Sequence, residues 1–235
     1  MRVHPLLEVI ALSPGDVPGA VDGGADRLHV VARVGNTALT PAVETVRDIR
    51  RSCELPLRVT LRASEGYTVT GSELVQLKVA AHQLAAAGAN GFVLGFLGLN
   101  TEVDLEATLA VVDEVSTYTW TFHHAIDHTL DHDAAWELIR GLPQLDAVLT
   151  AGSPRGLDAG LDTLCTRSSS SPATARLVMA GGALKPDHVP WLARAGIRMF
   201  HVGSVVRPGR SWKAYIDAGL VRSWRRLIDD VVAVR

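Results

Sequence analysis

The feature that most constrains this chain is a repeat of short β-branched runs, each closed by Gly, Ser, Thr or Pro and followed by a longer helical stretch. Strand starts fall near Leu6, Arg27, Leu57, Gly91, Thr119, Asp146, Arg176 and Arg198, at intervals of 21 to 34 residues. Each interval holds one strand and one helix. Eight such units in 235 residues predict an α/β fold, a TIM-type (β/α)8 barrel. A barrel of about 250 residues uses a chain of this length as a single domain, here 1–235.

The helices carry their own signals. Thr40-Pro41 offers an N-cap and a proline at the first helical position, where a missing N–H costs nothing. Leu74, Leu77, Ala81 and Leu84 share one helical face, and Gly88 stops that helix. Leu105, Leu109 and Val112 repeat the spacing. Asp131 is placed to cap a helix through Trp136, Leu138 and Ile139, and Pro186 opens another before Trp191 and Leu192. Ser168 to Ser171, ahead of Pro172, read as a short polar loop.

Side chains alternate along a strand, so parity assigns faces. Leu7 and Val9 oppose Glu8 and Ile10; Leu28 and Val30 oppose Arg27, His29 and Val31; Val59 and Leu61 oppose Thr60 and Arg62. The fifth strand adds Thr121 and His123, and the eighth adds His201. Outer faces must pack on helices, so the polar set points into the barrel and converges near the strand ends, where barrel enzymes place their sites. Glu8 with Arg27 or Arg62 is also readable as a buried ion pair, and each histidine as a hydrogen-bonded core residue.

Two further constellations stand out. His123-His124-Ala125-Ile126-Asp127-His128-Thr129-Leu130-Asp131-His132-Asp133 holds four of the nine histidines. Imidazole with carboxylate suits zinc, copper, iron or nickel, although consecutive residues cannot all aim at one ion. His123 and Asp127 are the members best placed at the strand end. The second is Met179-Ala180-Gly181-Gly182 with Val202-Gly203-Ser204. Glycines after the seventh and eighth strands let backbone N–H groups approach an anion, as barrel phosphate sites do, or simply make tight turns.

Several classes are excluded. With 23 Lys plus Arg against 25 Asp plus Glu and no basic run, no nucleic-acid partner is expected. No segment approaches the roughly 20 apolar residues of a membrane helix. The opening Met1-Arg2-Val3-His4-Pro5-Leu6-Leu7-Glu8 lacks the apolar stretch of a signal peptide. Two cysteines, Cys53 and Cys165, are too few for a disulfide framework, so the expected location is cytoplasmic.

Read in order, Leu7-Glu8-Val9, Gly24-Ala25-Asp26-Arg27-Leu28, Leu39-Thr40-Pro41, Thr121-Phe122-His123, Asp127, Val148-Leu149-Thr150, Met179-Ala180-Gly181-Gly182 and His201 resemble the copper homeostasis protein CutC family. Tyr215-Ile216-Asp217 and the last helix extend the resemblance. It implies a TIM-type barrel, a cytoplasmic homodimer or higher homo-oligomer, and a role in copper binding or trafficking. The chain departs from the family pattern at four places. Ile10 replaces a cysteine, and His29-Val30-Val31 replaces Glu-Leu-Cys. The loop Arg62-Ala63-Ser64-Glu65-Gly66-Tyr67 replaces Arg-Pro-Arg-Gly-Gly-Asp, and His124 replaces an arginine. Thiolates select Cu(I); without the strand cysteines the expected donors are imidazole and carboxylate.

The expected site is therefore a metal centre drawn from His29, His123, Asp127 and His201, with copper as the metal that the resemblance implies. Such a site should weaken as pH falls through roughly 6.5, where a free imidazole takes a proton. The alternative is a barrel enzyme doing acid–base chemistry on a small phosphorylated or carboxylated metabolite. Arg27, Arg62, Gly181, Gly182, Gly203 and Ser204 would hold its anion, and Glu8 and His123 would exchange a proton. Trp191, Trp212 and Trp224 are candidates for a subunit interface.

Overall fold

In the computed structural model, which describes residues 4–34 and 37–233, eight parallel strands close into a barrel. They are β1 (Leu6–Ala11), β2 (Arg27–Val30), β5 (Leu57–Thr60), β6 (Gly91–Leu94), β7 (Thr119–Phe122), β8 (Leu145–Thr150), β9 (Val178–Ala180) and β10 (Met199–Val202). Their circular order is β1-β10-β9-β8-β7-β6-β5-β2. A separate antiparallel hairpin, β3 (Ala32–Val34) with β4 (Thr37–Leu39), is inserted after β2. The opening segment read against a signal peptide begins with Met1, Arg2 and Val3, which lie outside the described residues.

The strand starts lie at or within two residues of their expected positions. The largest offset has a local cause. Ser168 to Ser170 are the last turn of α6 (Leu157–Ser170), and the Ser171 side chain caps α7 (Pro172–Leu177) by accepting from Thr174 N. The serine run is thus helical rather than a loop, and Arg176 belongs to a helix. Pro172 stands in the first turn of α7, where no donor is needed.

The other helices are α1 (Val17–Gly23), α2 (Val43–Ser52), α3 (Gly71–Ala86), α4 (Leu105–Val112), α5 (His132–Ile139), α8 (Val189–Arg194) and α9 (Ala218–Ala233). Thr70 and Glu73 form a reciprocal capping box at the start of α3, Leu77, Ala81 and Leu84 are buried, and Gly88 adopts φ +109° just beyond it. Asp131 caps α5 by accepting from Ala134 N, as expected. Thr40-Pro41, in contrast, does not start α2, whose N-cap is Ala42. The Thr40 hydroxyl instead exchanges hydrogen bonds with Arg62, donating to its O and accepting from its N. In α4 the buried face is Ala107, Thr108, Val111 and Val112 rather than the face of Leu105 and Leu109.

The layers follow the alternation of side chains along the strands. Leu7, Val9, Leu28, Val30, Leu57, Val59, Phe92, Leu94, Phe122, Val148, Val178 and Phe200 belong to one buried core that also takes residues from the helices. Ala147, Leu149 and Met179 form a distinct cluster with Leu6 and Met199. These sit at the alternate positions, which face the barrel axis. Buried Glu8, Arg27, His29, Arg58, Thr60, Thr121 and His201 occupy other alternate positions, in register with Ile10, Gly91 and Val93.

The first and last helices are packed together, and an ion pair joins the segments beside them. α1 packs against α9, and buried Arg207, in the loop after β10, forms a bidentate pair with Asp16 at 2.8 Å on both arms while donating to Ile10 O at 3.0 Å. Trp224 is buried in the core and Trp212 lies over Arg33, so Trp191, 57% exposed, is the one of the three expected interface tryptophans that faces solvent.

Candidate functional site

The C-terminal ends of the strands open into one cavity of about 690 Å³, lined by His29, Thr60, Arg62, His123, Leu149 and His201, among others. The register places these groups. Glu8 lies beside both Arg27 and His201, and His29 lies beside Ile10 and Arg58. Each is an inward position of its strand, so closure of the barrel alone brings β1, β2, β5 and β10 side chains together.

Glu8 is fully buried at the base of this group. Its Oε2 accepts from Arg27 Nε at 2.5 Å, and its Oε1 stands 3.8 Å from His201 Nε2 with no hydrogen-bond partner. His201 Nε2 is 3.0 Å from His29 Nδ1, and His29 Nε2 is 2.7 Å from Thr60 Oγ1. When His29 donates its Nε2–H to Thr60, its Nδ1 lone pair faces His201. A hydrogen bond that fixes the far nitrogen is usual for a metal-binding imidazole, and here a hydroxyl supplies it.

One donor atom from each of Glu8, His29 and His201 lies within 4.8 Å of the other two, and all three residues are buried. Two nitrogens bound to one tetrahedral ion at 2.0–2.1 Å would be about 3.3 Å apart. The His29–His201 separation is close to that.

Electrostatics hold these groups in ligand-ready forms. Burial works against the Glu8 charge, but Arg27, His29 and His201 together hold its pKa down to about 2. Burial lowers His29 to about 4 and His201 to about 3, against the opposing pull of Glu8. At neutral pH the set is one carboxylate and two neutral imidazoles. The expected loss of ligand capacity near pH 6.5 therefore moves to about pH 4 and below, because the protonated rings are poorly solvated here.

His123 and Asp127 do not join this group. His123 Nδ1 accepts from Ala125 N at 3.3 Å, so a neutral ring carries its proton on Nε2, which has no acceptor. Its only lone pair is already engaged. Burial, with Arg62 nearby, pushes its pKa well below the ordinary range. Asp127 accepts from Thr150 Oγ1 (2.5 Å), Gly152 N (3.0 Å), Ala151 N (2.8 Å) and His124 Nδ1 (2.8 Å). The first three bonds tie the turn after β7 to the end of β8, and the fourth lies within the turn.

The anion set is likewise dispersed. Arg27 is spent on Glu8 below the cavity. Arg62 lines the cavity wall, but it does not pair with Glu8; its Nε donates to Gly66 O at 2.8 Å and its guanidinium lies 4.4 Å from the Tyr67 ring centre. Gly181 N–H is taken by Thr150 O, and a Cβ there would come 2.6 Å from Leu149 Cδ1 and 3.1 Å from His201 Nδ1. Glycine at 181 makes room for His201 rather than presenting a free donor. Gly182, Gly203 and Ser204 do line the cavity. Glu8 and His123 are not in contact, since Glu8 meets Arg27 and His201 whereas His123 packs against Tyr67.

Three residues escaped the sequence reading. Arg58 reaches past Gly91 to Thr119 and pairs with Asp146 at the other end of the barrel. Its charge on a strand between apolar residues was the available signal. Tyr67 bridges Arg62, His123 and His128, and Arg33 stacks 4.1 Å over Trp212 at the cavity. Both depend on loop geometry that spacing does not carry.

The model of the CutC family matches residues 5–206 of this chain. Curated relatives include a family protein CutC of Xanthomonas campestris pv. campestris (strain B100), 29% identical over 84% of this chain and 82% of its own length. Another is a family protein CutC of Klebsiella pneumoniae (strain 342), 26% identical over 83% and 78%. A solved CutC of Streptococcus agalactiae, described as a copper homeostasis protein, superposes with a TM-score of 0.75 at 17% identity, covering 85% of this chain and 98% of that one. A thiamine phosphate pyrophosphorylase of Pyrococcus furiosus superposes at 0.58 with 18% identity, covering 96% of each chain, and so shares the fold. Barrel closure, the polar set that it gathers and a family match across nearly all of the barrel lead to one assignment: the chain belongs to the CutC family.

Proposed function

We propose that this chain serves copper homeostasis by holding a metal ion as cargo between Glu8, His29 and His201. The observation that carries the reading is the approach of three buried donor atoms to within 4.8 Å, one of them a carboxylate oxygen with no hydrogen-bond partner. His29 stands where the family pattern has glutamate, and Ile10, on the cavity wall, stands where it has cysteine. The donor set is thus two nitrogens and one oxygen, which favours Cu(II) or Zn(II) over Cu(I). Cys53 at the end of α2 and Cys165 on α6 are both unpaired and belong to neither this group nor the cavity. Unpaired thiols also support a cytoplasmic setting. No described helix is long and apolar enough to cross a membrane. A homo-oligomer, implied by the family, is part of this proposal, and sedimentation of the full chain checks it.

The test is calorimetric titration of EDTA-treated protein with Cu(II) and Zn(II), and competition titration with Cu(I). The expected result is about one equivalent of Cu(II), with affinity falling at least 100-fold in His201→Ala. Affinity no tighter than that of an unrelated histidine-bearing protein would overturn the reading.

A further inference from the structure

The same cavity has a second character that the metal donors do not use. Arg33 from the hairpin, Arg62 from the loop after β5 and Arg155 from the loop after β8 all line it. Among the described residues no Asp or Glu lines it. Glu65, exposed on the Arg62 loop, is a carboxylate whose field reaches Arg62 from outside the cavity. Three guanidiniums brought from three separate segments to one opening raise its potential, and a bound anion would lower the cost.

The rest of the lining fits an organic ligand rather than a lone ion. Trp212, Leu149 and Ile10 give apolar wall, and about 690 Å³ is the size of a small-molecule site. Arg33 lies 4.1 Å over the Trp212 ring, which holds a planar cation against a flat apolar surface. Beneath, His123 offers a buried Nε2–H with no acceptor, a donor whose desolvation is uncompensated in the protein alone. Tyr67 packs on both Arg62 and His123, so the two donors share one wall.

We infer that this cavity binds a small organic oxyanion, its phosphate or carboxylate group held by the mouth arginines with Arg62 foremost and the His123 Nε2–H as a further donor, and its body against Trp212. This ligand is distinct from the metal at Glu8, His29 and His201, and its binding does not require that metal.

The experiment uses the full chain after EDTA treatment and titrates it with phenyl phosphate, benzoate and phenol. The expected result is saturable binding of phenyl phosphate or benzoate, with phenol at least tenfold weaker; which of the two anions binds tighter assigns the charged group. Arg62→Gln should weaken the anion at least tenfold and leave phenol unchanged. In parallel, the histidine side-chain nitrogen resonances of the wild type are followed by NMR, and the His123 Nε2–H signal should move with saturation. Equal binding of phenol and the anions, or a His123 signal that stays fixed at saturation, would overturn the proposal. Because the NMR arm uses the wild type, it decides the matter even if Arg62→Gln fails to fold.

Discussion

The two sides of the barrel interior are built on the same parallel ladder and yet have opposite chemistry. On the β8 and β9 side, Ala147, Leu149 and Met179 pack with Leu6 and Met199. On the β1, β2, β5 and β10 side, two residues further along the first and last strands, the inward positions become Glu8 and His201 and are joined by Arg27, His29 and Thr60. Closure and register are common to both sides. The fold therefore does not require the polar side, and an apolar filling like that of β8 and β9 would serve stability at least as well. Charged and imidazole groups stand in a dry interior, with Glu8 Oε1 and Arg27 Nη2 unmatched, and this is the feature on which the proposed metal site rests.

This contrast can be broken in several ways. The largest effect should come from Arg27→Met, which leaves the Glu8 carboxylate buried beside an apolar chain. Urea denaturation should show a loss of about 3–5 kcal/mol, and adding Glu8→Leu should restore most of it. A loss under about 1 kcal/mol for the single change would mean that the pair is solvated.

Acid should separate the two sides next. His29 and His201 have pKa values near 4 and 3 in the folded chain and about 6.5 when unfolded. Below pH 6.5 the unfolded chain binds protons that the folded chain refuses, so stability must fall as pH drops toward 4. For His29 the displacement is worth about 3 kcal/mol at its limit. Glu8, held near 2, adds a loss of the same sign at lower pH. Thermal melts of EDTA-treated protein should show this slope between pH 6.5 and 4, and His201→Asn should reduce it.

Leu149→Ala, on the apolar side, should cost about 2–3 kcal/mol, at the low end for a buried leucine because it borders the cavity. That cost should not change between pH 7 and 5, since nothing beside Leu149 in its cluster titrates. The smallest effect belongs to Cys53→Ser. The half-buried thiol lies at the edge of the core and donates to Ile49 O at 3.8 Å, so stability should shift by less than about 0.5 kcal/mol and metal uptake should not change.

Most of the barrel was legible in the sequence because strand period, turn residues and unit length all agree. Glu8, His29 and His201 were legible as inward residues for the same reason, as each interrupts an apolar strand at fixed parity. Their grouping was harder to read. Which inward residues meet depends on which strands adjoin after closure, and β1 lies between β10 and β2 only in three dimensions. Hence His123, on β7's far arc, looked equivalent to His201. Asp127 looked like a ligand because a carboxylate at a strand end is chemically apt; that the turn after β7 folds it back onto Ala151 N and Gly152 N is a backbone fact that spacing does not reveal. The serine run misled because capping by Ser171 and a proline start can divide one apparent loop into two helices.

The central claim is that the metal belongs to the polar side of the barrel, through His29 and His201, and not to His123 or a thiol. The most direct measurement is electron paramagnetic resonance of one equivalent of Cu(II) on the full chain, compared among wild type, His201→Ala, His123→Ala and Cys53→Ser at pH 7.0 and 5.5. The wild type should show a single signal with splitting from two imidazole nitrogens, unchanged in His123→Ala and Cys53→Ser and at pH 5.5, and lost or reduced to one nitrogen in His201→Ala. A two-nitrogen signal that survives His201→Ala and disappears in His123→Ala would contradict the account.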